Sequence, residues 1–191
     1  MQAAAHAGMA APSEWVCRWL HLVPAGGTVL DLACGSGRHV REMTRLGLRV
    51  TGVDRDEQAV VPLRGIAEIL VADLEGGPWP LEGRSFDAVV VTNYLWRPLM
   101  PRILDSLRAG GVLIYETFAS GQETVGRPSR EAFLLRSGEL LEVARDLRIV
   151  AFEDGFLDAP ERFVQRIAAV RVGAAASSGP ARHALNPGRA R

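Results

Sequence analysis

The chain has 191 residues, with 22 Lys plus Arg against 22 Asp plus Glu, and 48% of its residues are hydrophobic. This length predicts one compact domain, and the balanced charge provides no overall field that would attract nucleic acid or an anionic membrane. Cys17 and Cys34 form no C-x-x-C pair, which disfavours a metal site and fits a reducing cytoplasm.

The first predicted helix follows an Ala-rich stretch, residues 1–12, which we expect to be disordered. That stretch lacks the basic start of a secretory signal, and no apolar run in the chain is long enough to span a bilayer. The segment "SEWVCRWLHLVP" then predicts a helix that turns either Trp15, Trp19 and Leu22 or Val16, Leu20 and Val23 toward the core. We therefore expect the folded domain to begin near residue 13.

Five apolar runs, rich in Val and Ile and bounded by Gly, Asp or Pro, predict strands that are buried on both faces. They are "GTVLDLA", "LRVTGVD", "AEILVAD", "FDAVVVTN" and "GVLIYETF". Between the first two, "RHVREMTRLG" places Val40, Met43 and Leu46 on one helical stripe, with Gly47 as the C-terminal cap. This strand–turn–helix–strand order indicates a parallel sheet.

The C-terminal half continues the alternation of helices and strands. "LMPRILDSLRAGG" predicts a helix closed by Gly110 and Gly111, and "SGELLEVARD" predicts another with Ser137 as its N-cap. "RIVAFEDGFLD" and "ERFVQRIAAVRV" predict two strands joined as an antiparallel pair. Residues 13–173 thus form the predicted domain, and residues 174–191, which have few large apolar side chains, form a predicted disordered tail.

These elements predict a doubly wound, mostly parallel α/β sheet of about seven strands, with a Rossmann-like fold and an antiparallel C-terminal strand. In such sheets a ligand binds beyond the carboxyl ends of the strands, where "VLDLACGSGRHV" lies. Gly35 and Gly37 allow a sharp turn and close approach to a ligand. Val40 replaces the third small residue of a dinucleotide fingerprint, and Asp31 would face a pyrophosphate unfavourably but suits a cationic amine.

The pattern Asp31-x-x-x-Gly35-x-Gly37 after "VL" resembles motif I of the class I S-adenosylmethionine-dependent methyltransferases. The resemblance continues in order through "VTGVD", "VADL", "SFDAVVVTNYLW" and "LRAGGVLIYETF". It implies that Asp54 accepts hydrogen bonds from the ribose hydroxyls and that Asp73 binds the adenine amino group with Leu74 beside it. It also implies that Thr92 and Asn93 lie beside the methionine end. No single motif is specific for this family, but the order and spacing of all the motifs together are a strong signal.

The resemblance implies S-adenosylmethionine as the cofactor, with no metal. The small size and "YETFASGQETVGRP" are more similar to stand-alone bacterial small-molecule or tellurite-resistance-type methyltransferases than to large RNA enzymes. Ala33 departs from the family by replacing the first glycine of a three-glycine pattern, but a methyl group is small enough for the turn. The implied cofactor-binding residues are Asp31, Ala33, Gly35, Gly37, Asp54, Arg55, Asp73, Leu74, Thr92 and Asn93.

The implied reaction is an in-line displacement at the methyl carbon, which depends on alignment and water exclusion more than on covalent help. A hydroxyl or ammonium acceptor would also need a base. By location the catalytic candidates are Asn93, Tyr94 and Glu116, with the Tyr94 ring expected near the sulfonium. The expected partner is a small molecule, nucleic acid is disfavoured, and neither the acceptor nor the oligomeric state follows from the sequence.

Each candidate also has a purely structural interpretation. Asp31 can cap the turn, Asp54 and Asp73 can be solvated loop residues, Cys34 can be a small packed side chain, and His39 can lie on the helix surface or behind the site. Two other functions remain open. One is an NAD-dependent oxidoreductase, which Val40 and the lack of any lysine disfavour; the other is a non-catalytic nucleotide-binding module.

Overall fold

Seven strands form one sheet in the computed structural model, which describes residues 10–173 and 182–186. The strands are β1 (Thr28–Leu32), β2 (Arg49–Asp54), β3 (Glu68–Val71), β4 (Phe86–Thr92), β5 (Leu107–Phe118), β6 (Arg148–Asp158) and β7 (Glu161–Val170). Their order is β3-β2-β1-β4-β5-β7-β6, with β1 to β5 parallel and β7 antiparallel to both neighbours. The predicted fold class is confirmed.

Side chains from alternate positions of the parallel strands fill a core on each face of the sheet. Leu30 and Leu32 of β1 are fully buried in one core, whereas Val29 is fully buried in the other. Residues of both predicted stripes complete the second core: Trp15, Val16, Trp19, Leu20 and Val23 are buried in it. The Trp15 indole donates to the Ile167 carbonyl over 3.2 Å. Because both faces are covered, the strands read as continuous apolar runs in the sequence.

Five α-helices are present among the described residues, together with short 3-10 turns. The helices are α1 (Glu14–Trp19), α2 (Arg38–Arg45), α3 (Glu57–Val60), α4 (Met100–Asp105) and α5 (Glu139–Val143). Gly47, at φ 79°, follows α2 as predicted, and its N–H donates to the Thr44 carbonyl over 2.9 Å. Val40 and Met43 are fully buried, but Leu46 is 48% exposed, so its place on the apolar stripe was predicted wrongly.

Two predicted helix boundaries are also wrong. Helix α4 ends at Asp105, and Gly110 and Gly111 belong to β5, where they bond to Arg171 at the end of β7. Ser137 does not cap α5: the N-cap is Gly138, and the Ser137 hydroxyl donates to Asp154 instead, over 3.0 Å. In both places a contact with the β6–β7 pair, distant in sequence, replaces the local contact that the pattern suggested.

Most of the two predicted disordered segments, residues 1–12 and 174–191, falls outside the described residues. The part of the tail that is described, residues 182–186, contacts the domain, with the Ala184 carbonyl oxygen 2.9 Å from His21 Nε2. Within the described ranges, no helix is both long enough and apolar enough to cross a membrane. Among the same residues, no cluster of three His, Cys, Asp or Glu side chains is arranged to hold a metal ion.

Candidate functional site

The turn between β1 and α2 has an unusual backbone at three positions. Ala33, Gly35 and Gly37 all have left-handed φ angles, of 53°, 52° and 79°. A Cβ at Gly37 would lie 2.4 Å from the Leu63 side chain, whereas a Cβ at Gly35 would meet nothing within 4 Å. Gly37 is therefore needed for packing. Gly35 leaves open space beside the turn, which is the arrangement expected where a ligand approaches the backbone.

Asp54 joins this turn to the end of β2. One of its carboxylate oxygens accepts from the Gly35 N–H over 2.7 Å, and the other accepts from the Asp56 N–H over 2.9 Å. Each oxygen has a second lone pair, so the side chain can still accept hydrogen bonds from a ligand. Asp54 thus both shapes the glycine turn and presents an acceptor at the carboxyl edge of the sheet.

A cavity of about 160 Å³ lies at this edge. Residues that follow the ends of β1, β2, β3 and β4 line it: Ala33, Asp54, Arg55, Ala72, Asp73, Leu74, Glu75 and Tyr94. Six of these eight residues were singled out from the sequence, and the fold brings them together. Ala72 and Glu75 were not, although both flank Asp73 and Leu74 in the same loop.

Asp31 is a buried acid without a partner. Its side chain is on β1, two residues before Ala33, and the residue is only 1% exposed. Neither carboxyl oxygen has a hydrogen-bond partner among the described residues. Burial raises the pKa of Asp31 to about 8, and the nearby Asp54 adds to this effect while Arg38 opposes it. Such a group is costly for the free protein, and a bound cation would relieve that cost.

Three residues from distant parts of the chain connect the end of β4 with α1. Burial lowers the pKa of His39 to about 4, and Arg38 lowers it further, so the ring is neutral at pH 7. The Ser13 N–H donates to His39 Nε2 over 3.0 Å, which leaves the proton on Nδ1, 3.4 Å from the Thr92 hydroxyl. His39 is therefore buried behind the site and does not lie on the helix surface.

Glu116 is fully buried and held by three donors. The Ser13 hydroxyl donates over 3.0 Å, Arg162 over 3.4 Å and Arg166 over 3.3 Å. A carboxylate held in this way is better suited to fix the position of its neighbours than to accept a proton from a substrate. Glu116, a candidate base because of its position near the end of β5 in the sequence, therefore lies in a buried ion-pair network and not at an open strand end.

Asn93 and Tyr94 follow β4. Asn93 is exposed, has a left-handed φ of 54°, and is held by its N–H, which donates to the Glu116 carbonyl over 3.0 Å. The Tyr94 ring lies in the cavity with Asp54 and Asp73, and its hydroxyl has no partner among the described residues. Tyr94 is therefore placed on the side where the resemblance puts the adenosine, in a cavity that Thr92 does not line.

Cys34 lies in the glycine turn as a small packed residue. It is 7% exposed, and burial raises the pKa of its thiol well above the usual range, with Asp31 and Asp54 contributing. A thiol with so high a pKa is a poor nucleophile. The geometry thus agrees with the structural interpretation of this residue.

A methyltransferase domain family matches residues 29–111, which include β1 to β4 and the glycine turn. The ribosomal protein L11 methyltransferase of Thiobacillus denitrificans is 40% identical over 110 residues, covering 54% of this chain and 37% of that protein. The tRNA U34 carboxymethyltransferase of Idiomarina loihiensis is 28% identical over 167 residues, covering 76% of this chain and 51% of its own length. The chain thus spans about half the length of these relatives or less.

Solved structures of similar fold include TehB from Haemophilus influenzae, with a TM-score of 0.66 and 20% identity, covering 80% of this chain and 59% of that one. A SAM-dependent methyltransferase from Methanosarcina mazei has a TM-score of 0.65 and 18% identity, covering 85% of this chain and 99% of that one. At these identities the likeness is one of fold.

Proposed function

Because the chain belongs to the class I S-adenosylmethionine-dependent methyltransferases, we propose that it transfers a methyl group from S-adenosylmethionine to a small-molecule acceptor. The observation that carries this proposal is Asp31 beside the glycine turn, a buried carboxyl with no hydrogen-bond partner among the described residues. The methionine ammonium of the cofactor would supply the missing cation. A dinucleotide pyrophosphate is itself an anion and would not stabilise the ionised carboxyl.

The residues present fit the cofactor along its length. Asp54 would accept from the ribose hydroxyls with its remaining lone pairs, and Asp73 with Leu74 would contact the adenine in the same cavity. Asp31 would pair with the methionine ammonium, and the open space at Gly35 would admit the ligand to the backbone. When bound, S-adenosylmethionine supplies a methyl group on a sulfonium, which an acceptor lone pair attacks as the carbon–sulfur bond breaks.

The contribution of the protein to this reaction is position and exclusion of water. The Ser13–His39–Thr92 contacts fix the end of β4 against α1 with no charge on His39, since its pKa is about 4. The Tyr94 ring covers the cavity beside Asp54 and Asp73. Asn93 remains the candidate for acceptor contact, because its side chain is exposed and its backbone is anchored at Glu116.

The choice of a small acceptor is separate from the choice of cofactor. The relatives include enzymes named for a ribosomal protein and for tRNA, and this chain spans only part of them. The charge balance favours a small acceptor. Because 22 basic residues are balanced by 22 acidic ones, the chain has no net positive charge that would attract RNA.

Methyl transfer can be tested with S-adenosylmethionine labelled in the methyl group. The purified protein would be incubated in parallel with a small-molecule extract, total tRNA and ribosomal protein, and an Asp54→Ala variant would serve as the control. We expect label in a small molecule with the wild-type protein and little with the variant. Label in tRNA or protein would overturn the choice of acceptor, and failure to bind the cofactor would overturn the whole proposal.

A further inference from the structure

A second cavity, of about 290 Å³, lies between residues 11–14 and the turn that joins β6 to β7. We call it the arginine cavity, because Arg38, Arg162 and Arg166 line it together with Glu14 and Glu116. It is distinct from the cavity that contains Asp54 and Asp73, since no residue lines both.

The arginines of this cavity have donors that the described residues do not use. Arg166 is occupied, since it donates to Glu116 over 3.3 Å and to Glu153 over 2.7 Å. Arg162 has one long bond to Glu116, of 3.4 Å, and its buried Nε–H has no partner among the described residues. Arg38 donates only to the Ala11 carbonyl, over 3.4 Å. Buried donors without partners are rare, and guanidinium groups bind oxyanions through paired N–H bonds.

Part of the cavity wall is apolar. Beside the charged residues and Ser13, carbon surface comes from Pro12, Leu157 and Pro160. The volume of about 290 Å³ lies close to the lower end of the range for organic ligands and exceeds what one inorganic ion fills. A charged end beside an apolar wall fits a small organic acid.

The arginine cavity adjoins the cofactor site through named contacts. Ser13 lines the cavity, and its N–H donates to His39, whose ring contacts Thr92 at the end of β4. Arg38 directly follows Gly37 of the glycine turn. A molecule in the cavity would therefore lie against Ser13, which bonds to His39, and against Arg38, which follows the glycine turn.

We propose that the arginine cavity is the acceptor site and that the acceptor is a small organic acid whose carboxylate binds Arg38 and Arg162. This inference rests on the proposed methyltransferase function and adds the class of substrate to it. Glu116 is then a positioning residue, which holds Arg162 and Arg166 at the cavity wall through its two oxygens.

Benzoate and benzamide are matched probes, because they share the ring and differ in the charge of the polar group. Each would be titrated by calorimetry into the protein saturated with S-adenosylhomocysteine. The variants are Arg162→Gln and Arg38→Gln, and the control is Arg145→Gln, whose side chain is 80% exposed at the far end of β6. We expect benzoate to bind the wild type and the control, and to bind each variant about 10- to 100-fold more weakly, as for loss of a charged hydrogen bond.

Several outcomes would overturn the inference while leaving the proposed function intact. These are equal binding of benzamide and benzoate, unchanged benzoate binding in both variants, or binding of inorganic phosphate in place of benzoate. S-adenosylhomocysteine affinity is the separate readout for the proposed function, and it should be unchanged in Arg162→Gln and Arg145→Gln. If Arg162→Gln does not fold, Arg38→Gln decides, because Arg38 is only partly buried and its side chain makes one long hydrogen bond within the described part of the chain.

Discussion

Replacing Asp31 by Asn should abolish a pH dependence of S-adenosylhomocysteine binding that we expect in the wild-type protein. The carboxyl is buried without a partner, and burial raises its pKa to about 8. At neutral pH the free protein therefore holds Asp31 mostly protonated. Since only the ionised form attracts the ligand's ammonium group, the protonated fraction must release its proton before tight binding.

The size of the effect follows from the pKa. With a value of about 8, the ionised fraction is about one half at pH 8 and about one hundredth at pH 6. The apparent Kd of the wild type should therefore rise roughly 50-fold between these two pH values. At pH 7 about 0.9 proton should be released for each ligand bound.

Calorimetry over this pH range, in buffers of different ionisation enthalpy, measures both quantities. The Asp31→Asn variant should bind weakly at every pH and release no proton through this position. A wild-type Kd that does not change with pH, or a variant with the same pH profile as the wild type, would refute the reasoning.

The buried Asp31 carboxyl should also make the stability of the free protein depend on pH. Its folded pKa lies above the ordinary value of 3.8, so its contribution to the free energy of unfolding is largest below about pH 4 and falls as the pH rises to about 8. The rise in pKa from 3.8 to about 8 corresponds to at most about 6 kcal/mol. Asp31→Asn should therefore be more stable than the wild type at pH 8 in urea unfolding without ligand, and an equal or lower stability would contradict the burial argument.

Three further predictions concern the cavity around Asp54. Asp54→Ala should weaken S-adenosylhomocysteine binding about 10- to 100-fold in calorimetry, and Asp54→Asn less, because the amide oxygen can still accept from Gly35. Gly35→Ala and Gly47→Ala should each lower the free energy of unfolding by about 1 kcal/mol, because both residues have left-handed φ angles and open space beside them. Only Gly35→Ala should also weaken S-adenosylhomocysteine binding. Tyr94→Phe should bind like the wild type and Tyr94→Ala more weakly, because the ring lines the cavity and the hydroxyl has no described partner.

Each of these predictions has an outcome that contradicts it. Unchanged affinity in folded Asp54→Ala would place the ribose site elsewhere. Equal loss of affinity in Gly35→Ala and Gly47→Ala would mean that general destabilisation, not the glycine turn, is responsible. Wild-type affinity in Tyr94→Ala would remove the ring from the binding cavity.

Features that depend on neighbours in the sequence were predictable. The apolar strands, the turn at Gly35 and Gly37, and the cap at Gly47 follow from local periodicity and from the conformational freedom of glycine. The order of the acids after successive strands was enough to predict which of them meet, because parallel strands end at the same edge of a sheet. Asp54 and Asp73 accordingly lie in one cavity.

Features that depend on distant contacts were not predictable. Ser13 is 26 residues from His39 and 103 residues from Glu116, so no local pattern indicates that these side chains bond to one another. The same reason explains the error at Ser137, which bonds to β6. His39 was predicted to lie on the surface of α2 or behind the site, and its contacts with Ser13 and Thr92, both distant in sequence, accompany its burial.

Titration of the wild-type protein with S-adenosylhomocysteine and with NAD, under the same conditions, tests most directly whether the glycine turn and its acids form an S-adenosylmethionine site. The contacts at Asp31, Gly35 and Asp54 predict one tightly bound S-adenosylhomocysteine per chain and little or no NAD. Tight binding of NAD without detectable S-adenosylhomocysteine binding would contradict the account.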